Sequence, residues 1–272
     1  MSKKRITHKK KNIKLPTLTA ATADKHSLYQ RAVQDSDAMI DLIETVYDTR
    51  HKEPPLALKE DFCGTASLCA QWVKGHPLRT AVGVDLDRPT LDWGLKNNIE
   101  PLNENASRVE LVQGDVRDVT KQDFDVIAAL NFSYFTFHKR SELMEYFRAA
   151  KDSLCDGGFL ILDLHGGPDS QFALEEPHDF ENFEYVWEQG VFDPINNGTV
   201  CRIHFRFPDS TEIKDAFVYD WRLWSMPELN DAMKEAGFFA VETWWDGEDD
   251  TIRPATTATN TEAWVAYLVA WK

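Results

Sequence analysis

Leu56-Ala57-Leu58-Lys59-Glu60-Asp61-Phe62-Cys63-Gly64-Thr65-Ala66 is the stretch that decides the fold. Leu56 to Phe62 reads as a strand, Cys63-Gly64-Thr65 as a turn, and Ala66 to Lys74 as a helix with Leu68, Cys69 and Trp72 on one side. A glycine in such a turn lets the backbone approach a ligand closely. The helix that follows offers N–H groups without intrahelical partners.

Working outward, the same alternation continues. Thr80 to Asp85 is apolar almost throughout, as a parallel strand buried on both faces requires. Pro89 suits the first turn of a helix running to about Asn97. Val109 to Val112, Phe124 to Leu130 and Phe159 to Asp163 read as three further strands, with a helix from Ser141 to Leu154 closed by Asp156-Gly157-Gly158. Pro227 to Ala236 is a last helix, and Phe238–Trp245 and Ala263–Trp271 are the last strands. Strands alternating with helices predict an α/β fold: a doubly wound, mostly parallel, seven-stranded Rossmann-like sheet. Between Tyr185 and Trp221 the pattern turns β-rich with turn signals, which predicts an inserted antiparallel meander over residues 165–224. Upstream, apolar residues at helical spacing between 24 and 50 predict an N-terminal helical cap, and residues 24–272 are expected to form one domain.

Charge is unevenly placed. Seven basic residues precede the first acid, Asp24, so residues 1–23 read as a solvated basic tail. The rest is more acidic than the net charge of −15, which disfavours a nucleic-acid phosphate partner. No apolar run approaches the ~20 residues of a membrane span. The basic start has no apolar stretch after it, unlike a secretory signal. The cysteines 63, 69, 155 and 201 form no C-x-x-C pair and no histidine cluster has metal-ligand spacing, so no metal site is expected and the setting reads as a reducing cytoplasm.

In an open parallel sheet ligands bind beyond the carboxyl ends of the strands. Four sites fall there: Glu60 to Thr65, Asp85 with Leu86, Gly114-Asp115-Val116, and Asn131-Phe132-Ser133-Tyr134. Asp85 lies 21 residues after Gly64, a spacing at which a carboxylate can accept ribose hydroxyls; the competing role for Asp85 or Asp87 is a helix N-cap. An Asp at 115 can accept from an adenine amino group, with Val116 against the ring.

Together these sites resemble the class I S-adenosylmethionine-dependent methyltransferases, as a divergent subfamily. Leu58 to Ala66 is similar to that family's first motif, V-L-D-x-G-C-G-T-G, with Phe62 and Ala66 standing where it has glycines. Val82 to Asp85, Gly114 to Val116, Phe124 to Tyr134 and Leu154 to Leu160 resemble its later motifs in order. The resemblance implies S-adenosyl-L-methionine as cofactor, held by Glu60, Phe62, Cys63, Gly64, Thr65, Asp85, Leu86, Asp115, Val116, Asn131, Phe132 and Ser133, with Tyr29 from the helical cap. It implies methyl transfer, with a small-molecule acceptor favoured. Asn131 to Tyr134 echoes the N-P-P-Y motif of nucleobase and glutamine methylases without its prolines, so nucleic acid or a protein side chain is the alternative acceptor. A non-catalytic binding module is another alternative. A nicotinamide enzyme is disfavoured because G-x-G-x-x-G is absent. On the acceptor side, His165 and Tyr134 are the catalytic candidates, His165 as a base because an unperturbed imidazole titrates near neutrality.

Overall fold

A computed structural model describes residues 18–119, 123–247 and 251–272. In chain order the elements are α1 (Lys25–Val33), α2 (Ser36–Asp48), β1 (Ala57–Asp61), α3 (Ser67–Gly75), β2 (Thr80–Asp85), α4 (Arg88–Gly94), β3 (Val109–Gln113), β4 (Phe124–Ala129), α5 (Arg140–Ser153), β5 (Leu154–Gly166), β6 (Leu174–Phe180), β7 (Phe183–Gln189), β8 (Gly198–Arg206), β9 (Glu212–Arg222), α6 (Met226–Ala236), β10 (Ala240–Asp246), β11 (Ile252–Pro254) and β12 (Trp264–Trp271).

The main sheet runs β11-β10-β12-β5-β4-β1-β2-β3. The strands from β3 to β5 are mutually parallel, and β12 lies antiparallel between β5 and β10. The sheet has one strand more than expected, the three-residue β11 at its edge. The chain proceeds from β1 towards β3 on one side, then returns through β4 on the other side of β1. That reversal leaves a crevice beyond the carboxyl ends of β1 and β4.

Strand composition explains why helices cover both faces. On β5, Phe159 and Ile161 join a cluster with Ile43, Val46 and Trp72 of α2 and α3. Leu160 and Leu162 join the opposite cluster, with Phe147 of α5 and Met233 of α6. The charged run in central strand β1 is paired inside the protein: fully buried Lys59 lies 2.9 Å from Asp61, and Tyr146 donates to Asp61 at 3.1 Å. A buried charge pair is tolerated only with such added hydrogen bonds.

Two expectations need correction. The fifth strand, expected over Phe159 to Asp163, begins at Leu154, directly after α5 ends at Ser153, and runs to Gly166 with a register shift against β4, so Asp156-Gly157-Gly158 lies within the strand. The second sheet has four antiparallel strands, β6-β7-β8-β9, and not three. Its extra edge strand, Leu-Glu-Glu-Pro-His-Asp-Phe, is acidic and contains Pro177. Both features blunt an exposed edge and both hide a strand from sequence reading.

The 24–50 stretch divides. α2 packs against α3 on the main sheet, whereas Leu28 of α1 packs into the small sheet with Phe183, Ile203 and Phe205. Of the expected tail, residues 1–17 lie outside the described residues. Residues 18–23 include a turn in which the Ala20 amide donates to Thr211 beside the small sheet. Among the described residues no helix is long and apolar enough to cross a membrane.

Candidate active site

The loop after β1 has an unusual backbone. Phe62, Gly64 and Ala66 all lie in the left-handed region, at φ +57°, +52° and +55°. For the non-glycine residues this costs on the order of 1 kcal/mol each. The two substitutions in the glycine motif therefore retain a glycine-like path. Surrounding contacts hold it: Cys63 N–H donates to the Val84 carbonyl (2.9 Å), and the Phe62 ring meets Phe137 and Tyr146 edge-on. Gln30 of α1 and Asn98 donate to the Thr65 hydroxyl and carbonyl at 2.7 and 2.8 Å. Above Gly64 there is open space; an added Cβ would meet only the Thr90 methyl, at 3.9 Å. Gly94 of α4 is the reverse case, since a Cβ there would overlap the Thr65 carbonyl group.

At the end of β2, Asp85 accepts the Gly64 amide (2.8 Å) and the Asp87 amide (2.9 Å). The N-cap of α4 is Asp87, which accepts from Thr90 N–H. Asp85 thus stands beside the glycine turn with carboxylate lone pairs left over. Leu86, next to it, is 67% exposed. Asp115 is more committed than its place in the sequence suggests. Arg117 grips both its oxygens, at 2.9 and 2.6 Å, and this ion pair holds the carboxyl below its usual range. Val116 is buried behind it, its carbonyl 3.3 Å from the Lys59 ammonium.

After β4 the chain makes two consecutive left-handed residues, Asn131 (φ +57°) and Phe132 (φ +58°). Asp163 of β5 anchors both, accepting their backbone amides at 2.6 and 2.8 Å. Asp163 is buried, which pushes its carboxyl up to about 7. Its only signal in the sequence is an acid closing an apolar strand. Ser133 is turned inward onto the Leu130 carbonyl (2.7 Å). Tyr134 is fully buried and donates to the Asp163 carbonyl (2.9 Å), so the structure places it beneath the site and not in it. Tyr134, expected on the acceptor side, lines neither of the two cavities that meet at Asn131 and braces the strand end through that bond.

His165 does line the site. Its ring packs edge-on against Phe132, with centroids 4.6 Å apart, and its Nε2 is buried without a hydrogen-bond partner. Burial lowers its pKa to about 4, so the near-neutral value expected from sequence does not hold.

Two cavities meet at Asn131, Phe132, Val33 and Val265. The inner one, about 340 Å³, is lined by Glu60, Gln34 and Asp163. Glu60 accepts the Cys69 amide at 3.0 Å, and burial pushes its carboxyl up to about 7. The Gln34 carbonyl oxygen is buried and unpartnered. The outer cavity, about 260 Å³, is lined by His165, Tyr29 of α1 and a wall of the small sheet. Arg31 points elsewhere, to Asn182 at 3.0 Å.

This donor set fits S-adenosylmethionine. The inner cavity holds two buried acids and no Lys or Arg among its described lining residues, an environment that wants a cation such as an amino-acid ammonium. Gly64 leaves room for a ligand beside the Asp85 carboxylate.

Comparison with known proteins agrees with this fold. Residues 61–162 match the family model described as a methyltransferase domain. The fold is similar to that of an S-adenosylmethionine-dependent methyltransferase from Clostridium acetobutylicum (TM-score 0.66, 17% identity, 90% of this chain and 96% of that one). It is similar to DesVI from Streptomyces venezuelae (0.65, 17%, 91% and 98%) and to the sugar N-methyltransferase KedS8 from Streptoalloteichus (0.64, 17%, 99% and 100%). At such identities the likeness is one of fold. No curated protein matches the sequence.

Proposed function

We propose, from the premise that the chain carries a methyltransferase domain of the class I, Rossmann-like fold, that it transfers a methyl group from S-adenosylmethionine to a small-molecule acceptor. The observation that carries this reading is the pair of joined cavities at the sheet's reversal point, one acidic and one aromatic, divided at Asn131 and Phe132. S-adenosylmethionine supplies a methyl on a cationic sulfur, an electrophile that needs no further activation.

The chain's own residues bind and orient. Asp85 accepts the ribose hydroxyls, Leu86 and Val116 pack on the base, and Asp115 accepts from it with the lone pairs Arg117 leaves. Gly64 and its neighbours Cys63 and Thr65 give the backbone access, with Phe62 fixing the loop from behind. Glu60 and Asp163 face the ammonium end. Asn131 and Phe132 stand where donor and acceptor meet, and Ser133 holds their turn. With a ready-made electrophile, catalysis rests on proximity, alignment and exclusion of water. His165, neutral at physiological pH, offers the acceptor a hydrogen-bonding partner at Nε2. Tyr29 and the small sheet roof the acceptor. The relatives' names support a small acceptor, one being a sugar N-methyltransferase. The four cysteines, all free thiols, support a cytoplasmic setting.

A tritiated methyl-transfer assay over metabolite pools, RNA and protein lysate tests this. Label appearing in the small-metabolite fraction is the expected result. Label only in RNA or protein would contradict the acceptor class.

A further inference from the structure

The small sheet presents two different faces. The pairing of its strands puts Glu176 opposite Trp187, His178 opposite Tyr185, and Tyr219 and Trp221 on the same inner face across β8. The outer face carries ion pairs instead, such as Arg202–Glu188 and Arg206–Glu184. Alternation of this kind makes the inner face a built wall and not an accident of one residue. Tyr219 and Trp221 stack at 4.7 Å, Trp187 packs 5.8 Å from Trp221, and all three line the outer cavity with Tyr185.

The charge of that cavity is equally selective. Glu176 stands on its lining, whereas none of its described lining residues is Lys or Arg. The larger groove that continues from it past His165 and Trp187, about 940 Å³, is lined by Asp169 and Asp246 and again by no Lys or Arg among the described residues; Glu175 at its edge is held by Arg206 of the outer face at 3.0 Å. A phosphorylated or carboxylated acceptor would meet Glu176, Asp169 and Asp246 with no Lys or Arg among the described lining residues, and His178, 3.4 Å from Glu176, already lies against that carboxylate. Aromatic walls with a carboxylate at the rim favour the opposite charge, since ring faces attract cations.

We infer that the acceptor is an amine, bound in the aromatic cavity between Trp187, Tyr219 and Trp221 with its positive charge recognised by those rings and by Glu176. The inference rests on the methyltransferase reading and specifies its substrate. The charge balance suits the site. The bound ammonium first gives its proton to water; the neutral amine then forms the N–C bond with its lone pair, the C–S bonding pair returns to sulfur, and the positive charge ends on nitrogen. If the amine carried a hydrogen, the new ammonium passes that proton to water. Aromatic walls therefore bind the charge as it arrives on nitrogen, which stabilises the transition state more than the neutral amine.

The test uses the full-length chain saturated with S-adenosylhomocysteine, so that the sulfonium position is not free. Calorimetry compares choline with its neutral isostere 3,3-dimethylbutan-1-ol and with glucose 6-phosphate as an anionic probe. Choline should bind about tenfold more tightly than the isostere, with glucose 6-phosphate not binding. Glu176→Gln should reduce the preference and Trp187→Leu should abolish it. Equal affinity for choline and the isostere, or binding of the anion, would overturn the inference while leaving methyl transfer intact. Failure to bind S-adenosylhomocysteine at all contradicts the methyltransferase reading, and the inference with it. The wild-type comparison stands alone should either variant fold poorly.

Discussion

The carboxylate of Asp163 lies 2.8 Å from the backbone amide of Phe132 and fixes that residue in the left-handed region. With the Asn131 amide at 2.6 Å, one buried acid holds the turn that divides the two cavities. Asp163 and Glu60 both have carboxyls pushed up to about 7 by burial. In an unfolded chain such groups titrate near ~4. Between ~4 and ~7 the unfolded chain has lost protons that the folded one keeps, so stability falls as pH rises through that window and levels off above it.

Urea denaturation across that window should therefore show the ligand-free chain losing on the order of a few kcal/mol from acid to neutral pH. Asp163→Asn should be less stable at acid pH, because an amide oxygen cannot replace both carboxylate contacts, and its pH slope should be shallower. A wild-type curve that rises with pH would contradict the assignment of buried, proton-retaining acids.

Tyr134→Phe removes one hydrogen bond, to the Asp163 carbonyl, and nothing that faces the cavities. The expected loss is about 0.5–1.5 kcal/mol of stability. Turnover per folded molecule, measured well below the melting temperature, should stay within about twofold. A hundredfold fall in kcat with unchanged stability would return Tyr134 to the reaction.

Gly94→Ala places a methyl against the Thr65 carbonyl group. Backbone cannot yield as a flexible side chain does, so overpacking should cost about 1–3 kcal/mol. The same displacement shifts the glycine loop, and affinity for S-adenosylmethionine should fall with it. Full affinity in this variant would show that α4 does not set the loop.

Much of this was legible in the sequence because two periodicities are strong. The apolar runs Thr80–Asp85 and Phe159–Asp163 have one reading, a strand buried on both faces, and the order of strands and helices follows. β6 and β11 were not legible, since an edge strand with Pro177 and a three-residue strand carry neither apolar alternation nor length. The positions of Asp85 and Asn131 at strand ends could be read from spacing. The clamp of Arg117 on Asp115, the anchoring by Asp163 and the fit of Gly94 to Thr65 depend on side chains brought together by tertiary packing. Burial likewise removed His165 from its ordinary titration range, and an imidazole just past the end of an apolar run carries no sign of that in the sequence.

Calorimetric titration of S-adenosylmethionine into wild type and Asp85→Ala tests the central claim most directly. Asp85 sits beside Gly64 at the sheet's reversal point, where its carboxylate would carry the ribose hydroxyls. Each charge-assisted bond is worth about 1.5–3 kcal/mol before compensation, so the variant should bind at least ~10-fold more weakly with its fold intact by circular dichroism. An unchanged dissociation constant, or no binding by the wild type, would contradict the account.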